Sequence, residues 1–144
     1  MSDRNDRNVA VLRDLFDAYN ARDIERFIAC CDPSVELETA FAAVGGEVYH
    51  GHDGLRTWHR DVEDVWGGAV RAELEAYFDA GERTLVFYVL HGRGKQSGVE
   101  VAMPVAILAR WRAGLVIHAK AYAHREDALR DLGVSAEKLK PLEP

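Results

Sequence analysis

Two hydrophobic periods divide the chain. As far as Trp66 the apolar residues recur every three or four positions, and from Val70 onward they alternate with polar ones. Val9, Leu12, Leu15, Phe16 and Tyr19 make one apolar stripe, which predicts an amphipathic helix over 8–20. Asp23 is placed to cap a second, short helix carrying Ile24, Phe27, Ile28 and Cys31. That helix must stop near Pro33, because proline disfavours the helical region for Asp32 before it. Val35–Thr39 alternates as a first strand, Gly45-Gly46 supplies a turn, and Glu47–His50 is a short extended piece. Leu55, Trp58, Val62 and Val65 or Trp66 return to helical spacing, so a third helix is expected to run to Gly67-Gly68.

Four long alternating runs follow: Val70–Phe78, Arg83–Arg93, Val99–Trp111 and Leu115–His124. Turns at Ala80-Gly81-Glu82, between Gly92 and Gly98, and at Arg112-Ala113-Gly114 make them a sequential antiparallel meander. Strands usually run to about six residues, so runs this long imply a strongly twisted, curved sheet. Pro104 cannot donate to a ladder and is expected at a bulge that bends the third run. Asp127–Leu132 adds a final helical turn or two, closed by Gly133. Helices first and a meander afterwards predict an α+β cone, three N-terminal helices packed on a curved antiparallel sheet around a central pocket. Residues 8–132 form the domain. Residues 1–7 are expected to be disordered, and 133–144 to be a loosely held tail.

A length of 144 residues suits one domain. With 24 acidic against 18 basic side chains the net charge is −6, which opposes binding to nucleic acid or anionic membrane. The polar start, Met1 to Arg7, is no signal sequence and no apolar stretch approaches bilayer length, so a cytoplasmic location is expected. Cys30 and Cys31 are adjacent, with diverging side chains that cannot close an ordinary bridge; they read as small hydrophobes.

Beyond the order of elements, specific residues carry a resemblance. They are Asn20-Ala21-Arg22-Asp23-Ile24-Glu25, Asp32-Pro33-Ser34-Val35 and Tyr49-His50-Gly51-His52-Asp53-Gly54-Leu55. Further on come Ser97-Gly98-Val99-Glu100-Val101, Gly114, Ala121-Tyr122 and Arg125-Glu126-Asp127-Ala128-Leu129. Over about 8–132 the chain resembles the nuclear transport factor 2-like superfamily, and within it the SnoaL-like branch related to polyketide cyclases and ketosteroid isomerases. The resemblance implies a cystatin-like α+β cone with its pocket between the sheet and the helices. It spans isomerases, cyclases, epoxide hydrolases and noncatalytic binding or association domains. By the resemblance, the proton-moving carboxylate and the two oxyanion donors of ketosteroid isomerase-like members fall, by position, on Glu38, Leu15 and Ile107. The cyclases' acid/base aspartate and histidine fall on Ala121 and Ile107.

Glu38 is therefore the candidate catalytic base, since a carboxylate at the mouth of an apolar cavity would have a raised pKa. Strand alternation turns it to water instead, because Val35, Leu37 and Thr39 then supply the buried face. His124, near the expected rim, is a second proton-transfer candidate. Tyr19, Trp58, His59, Val62, Met103, Ile107, Ala119 and Ala121 are expected at the ligand pocket, whose lining from Met103 to Ala109 and Ile117 to Ala123 is apolar and rich in small residues. His50-x-His52-Asp53 has a weak metal-ligand spacing and reads as a turn that caps the third helix through Asp53; no metal and no cofactor are implied. The opposite sheet face, with Ala102, Ala106 and Leu108, is the expected homodimer surface. Two functions fit: a cofactor-independent isomerase, cyclase or hydratase acting on a hydrophobic polyketide- or steroid-like metabolite, or a noncatalytic hydrophobic-ligand-binding or dimeric association domain.

Overall fold

The computed structural model describes residues 3–39, 48–67, 69–93 and 97–143. The expected Gly45-Gly46 turn, Glu47 and Gly68 lie outside them. Helix α1 (Asp3–Asn20) buries Val9, Leu12, Leu15 and Phe16, the predicted stripe. It starts at Asp3, so the expected disorder of residues 1–7 is corrected for Asp3–Arg7. The polar first turns have tertiary partners: Asn5 is buried and its Nδ2 donates to Asp79 Oδ2 at 3.1 Å. Helix α2 (Ile24–Ala29) is capped as predicted, the Asp23 carboxylate accepting from the Arg26 backbone N–H at 3.1 Å. Helix α3 (Gly51–Trp66) ends on Gly67 in the left-handed conformation. Asp53 does not cap it. His50 occupies the cap position, and Asp53 lies inside the first turn, where Arg56 Nη1 donates to it at 2.7 Å.

The strands are β1 (Cys31–Glu38), β2 (Val48–His50), β3 (Val70–Ala80), β4 (Arg83–Arg93), β5 (Glu100–Arg112), β6 (Leu115–Tyr122) and β7 (Lys140–Leu142). They form one sheet in the order β2-β1-β6-β5-β4-β3-β7. All neighbours are antiparallel except β1 and β6, which run parallel with Glu36 beside His118 and Glu38 beside Lys120. The meander is as expected, and its last turn is a two-residue hairpin with positive φ at both Ala113 and Gly114. The bulges lie elsewhere than at Pro104. Register shifts occur between Leu74 and Ala76 and between Arg110 and Trp111, whereas Pro104 pairs with Val89 in unbroken register. Pro104 is tolerated because β6 pairing ends at Ala106, so β5 has a neighbour on one side only there.

The main core fills the concave face, where Val35, Leu37, Val86, Val105, Ala109 and Val116 meet Leu12, Phe16 and Leu55 from the helices. A second cluster occupies the other face. Leu85, Ala106, Leu108 and Tyr122 are covered there by Ala128 of helix α4 (Arg125–Leu132) and by Leu139. This corrects two expectations. The apolar outer face assigned to a homodimer is largely sealed within the chain, with Ala106 and Leu108 buried. The tail is not loose: after a 3-10 turn at Ala136–Lys138, β7 pairs with Tyr77–Asp79 at the edge of the sheet. Among the described residues no helix is long and apolar enough to cross a membrane.

Candidate functional site

Helices α1, α2 and α3 close over the concave face and leave a cavity of about 100 Å³ at the C-terminal end of α1. Leu15, Phe16 and Tyr19 enter from α1, Phe27 from α2, and Trp58, Val62 and Trp66 from α3 at spacings of four, one turn apart. The sheet contributes Leu37, Thr39, Val70, Ala72, Tyr88, Leu90, Ile107 and Ala121. Trp58 forms the wall between two rings, stacked on Tyr19 at 5.8 Å and tilted against Phe27 at 5.2 Å. Beyond Tyr19 lies Arg22, held at a left-handed φ of 61°, with its guanidinium 5.8 Å from the Tyr19 ring and 3.6 Å from Glu63.

The cavity has few polar atoms. Thr39 is buried and hydrogen-bonded. Burial pushes the Tyr19 phenol up to about 12, partly offset by Arg22. Tyr88 is enclosed more completely, and burial, with the Tyr19 phenol adding, drives its pKa strongly upward. Phe16 meets the Tyr88 ring edge-on at 5.1 Å. No described residue hydrogen-bonds the Tyr88 hydroxyl, and Tyr88 is part of the cavity wall. Its backbone is fixed from the other face: Arg125 donates to the Tyr88 carbonyl at 3.0 Å and to the Val105 carbonyl at 3.1 Å, pairs with Glu75, and lies 4.5 Å over the Phe87 ring.

Of the residues expected at the pocket, Tyr19, Trp58, Val62, Ile107 and Ala121 line this cavity. Ala119 lines a deeper void of about 30 Å³ with Leu12, Val35 and Leu55. Helix side chains thus pack over Ala119, whereas Ala121 faces the cavity. Met103 packs against the main core without reaching the wall, and His59 is half-buried on α3 beside the stripe that does.

Both proposed proton-transfer groups lie elsewhere. Glu38 is on the convex side, where His118 Nε2 donates to its Oε2 at 2.6 Å. The alternation of β1 decides this: Val35, Leu37 and Thr39 are buried, so the intervening glutamates point the other way. His124 is exposed at the head of α4 and makes no side-chain cap bond. His50 and His52 also part company, His50 Nδ1 lying 3.3 Å from Glu36 and His52 Nε2 donating to the Cys31 carbonyl at 3.0 Å. Among the described residues no group of three histidine, cysteine, aspartate or glutamate side chains is arranged to hold a metal. Sequence reading missed Tyr88. The signal was the parity of β4, where Thr84, Val86, Tyr88 and Leu90 share the concave face.

The model of the SnoaL-like domain matches residues 12–119, three quarters of the chain and every element that builds the cavity. The chain belongs to the SnoaL-like domain family. No curated protein matches it. Solved structures share its fold. An NTF2-like protein of unknown function from Burkholderia pseudomallei is 19% identical with a TM-score of 0.74, covering 90% of this chain and 97% of its own. TerC co-crystallised with polyporic acid is 20% identical with a TM-score of 0.73, covering 88% and 97%. A protein of ketosteroid isomerase-like fold from Catenulispora acidiphila in complex with trimethylamine is 16% identical with a TM-score of 0.70, covering 93% and 97%. Leu15, Ile107 and Ala121, the apolar residues onto which the resemblance projected chemistry, do face the cavity.

Proposed function

We propose that this SnoaL-like chain binds a compact apolar molecule carrying one hydrogen-bond-accepting oxygen, such as a monocyclic phenol or cyclic ketone. The observation that carries the reading is Tyr88, a buried residue on the wall of an apolar cavity whose hydroxyl has no hydrogen-bond partner among the described residues. A buried hydroxyl without a partner carries a desolvation cost of about 1–3 kcal/mol, and a ligand oxygen accepting from it removes that cost. Size supports a single ring. The cavity is about 100 Å³, and apolar cavities of about 150 Å³ are known to take up benzene. Such a space is small for a steroid or a polyketide. Binding is favoured over acid/base catalysis because the described lining contains no carboxylate and no histidine. Two structures of this fold, one co-crystallised with polyporic acid and one in complex with trimethylamine, support reading the cavity as a small-molecule site.

The test compares p-cresol, cyclohexanone and toluene by calorimetry on the wild type and Tyr88→Phe. The oxygenated ligands are expected to bind more tightly than toluene, and Tyr88→Phe to weaken them about tenfold while leaving toluene unchanged. Equal affinity for cresol and toluene in the wild type, or no effect of Tyr88→Phe, would overturn the reading.

A further inference from the structure

At the other end of α1, about 18 Å from Tyr19 at the helical rise, lies a second and chemically opposite depression. It is an open cleft of about 660 Å³ between the first turns of α1, the β3–β4 turn and the β5–β6 hairpin. Arg4, Arg7 and Arg110 line it, with Glu82 as the one acidic side chain among the described lining residues. Arg4 spends one N–H on the Gly81 carbonyl at 3.3 Å. Neither Arg7 nor Arg110 has an ion-pair or side-chain hydrogen-bond partner among the described residues. On the sheet, Arg110 stands directly opposite Arg83, a like-charge pair, with His118 on its other side paired to Glu38. In a chain of net charge −6 this local excess of guanidinium stands out.

A second observation is independent of charge. Asn8 is only 5% exposed, yet its amide has no hydrogen-bond partner among the described residues, is not among the fully enclosed orphan atoms, and forms part of the cleft wall. A buried amide is ordinarily hydrogen-bonded, and one left open to a cleft marks a place where a ligand atom completes it. Trp111 makes the floor, held by its Nε1–H donating to Thr84 Oγ1 at 3.0 Å.

We infer that this cleft binds a phosphate group, either free or carried by a small molecule. Guanidinium forks match the several acceptor oxygens of a tetrahedral dianion, and the Asn8 amide adds a neutral donor. The site is separate from the cavity, and it stands whether or not the cavity takes a phenol or ketone.

The experiment is a titration of the 15N-labelled protein with inorganic phosphate at pH 7.5, with sodium chloride adjusted to hold ionic strength constant. Saturable shifts are expected at the Asn8 side-chain amide, the Trp111 indole N–H and the Gly114 amide. Arg7→Ala and Arg110→Ala, both changes of exposed residues, should each weaken the apparent affinity about tenfold. Arg60→Ala removes the same charge from the exposed face of α3 and should leave it unchanged. Shifts that rise linearly without saturation, that scatter over arginines elsewhere, or that respond to Arg60→Ala as much as to Arg110→Ala would overturn the assignment. Phenyl phosphate in place of phosphate distinguishes the sources: tighter binding with added Trp111 shifts identifies an organic phosphate, and equal binding identifies the free ion.

Discussion

At the scale of single residues, chemistry here is decided by which way a side chain points. Glu38 and Tyr88 illustrate opposite outcomes of the same alternation, the carboxylate turned out to His118 and the phenol turned in to the cavity. The enclosed phenols leave a signature in alkali. Unfolded tyrosines ionise near pH 10, whereas Tyr19 does so at about 12 and Tyr88 is shifted upward by burial. Between those values the unfolded chain has released protons that the folded chain retains, so stability falls as pH rises. We expect the melting temperature to be insensitive to these groups below pH 9 and to drop between pH 10 and 11, with a shallower drop in Tyr88→Phe. Parallel curves for the two proteins would count against the enclosure of Tyr88. Orientation of this kind was legible for Ile107 and Ala121 because β5 and β6 alternate without ambiguity. It was misjudged for Glu38 only where the family's register was set against the strand's own pattern.

Elements set the shape of the cavity through close approaches that no single helix or strand specifies. Strand β4 carries Gly92 where a Cβ would come within 3.1 Å of the Trp66 ring of α3, and Trp66 is a wall residue. Gly92 lacks a positive φ, so the glycine is needed for space and not for backbone conformation. Gly92→Ala is therefore expected to displace the indole by a few tenths of an ångström at small cost in stability, about 1 kcal/mol or less, and to change ligand affinity more than it changes folding. A tryptophan emission shift with an almost unchanged urea midpoint would bear this out; a large loss of stability would show that Trp66 cannot yield. Capping by Asp23 and termination by Gly67 and Gly133 were readable from sequence because they are local, one residue acting on its own helix end. The bulge at Leu74–Ala76 was not, since it is set by how β3 registers on β4 and no glycine or proline in the strand marks it.

On the scale of the whole molecule the sheet is used on both faces. Three helices cover the concave side and leave the cavity, while α4 and β7 seal the convex side. Removing residues 134–144 takes away the β7 pairing and the partly buried Leu139 and Leu142. That deletion should lower stability by about 2 kcal/mol, read from urea unfolding, and leave binding in the cavity intact because no residue of the segment lines it. An unchanged midpoint would show the tail to be idle. The sequence by itself determined the helices, the meander, their order and the apolar character of the concave face. Those follow from periods of 3.6 and 2 that neighbouring residues express together. Only the tertiary structure decided that β1 pairs with β6, and in parallel, because that pairing joins segments about 80 residues apart. The same is true of the enclosure of Tyr88 and the convergence of Arg4, Arg7 and Arg110, which depend on chain ends and turns brought together only when the sheet curls around α1.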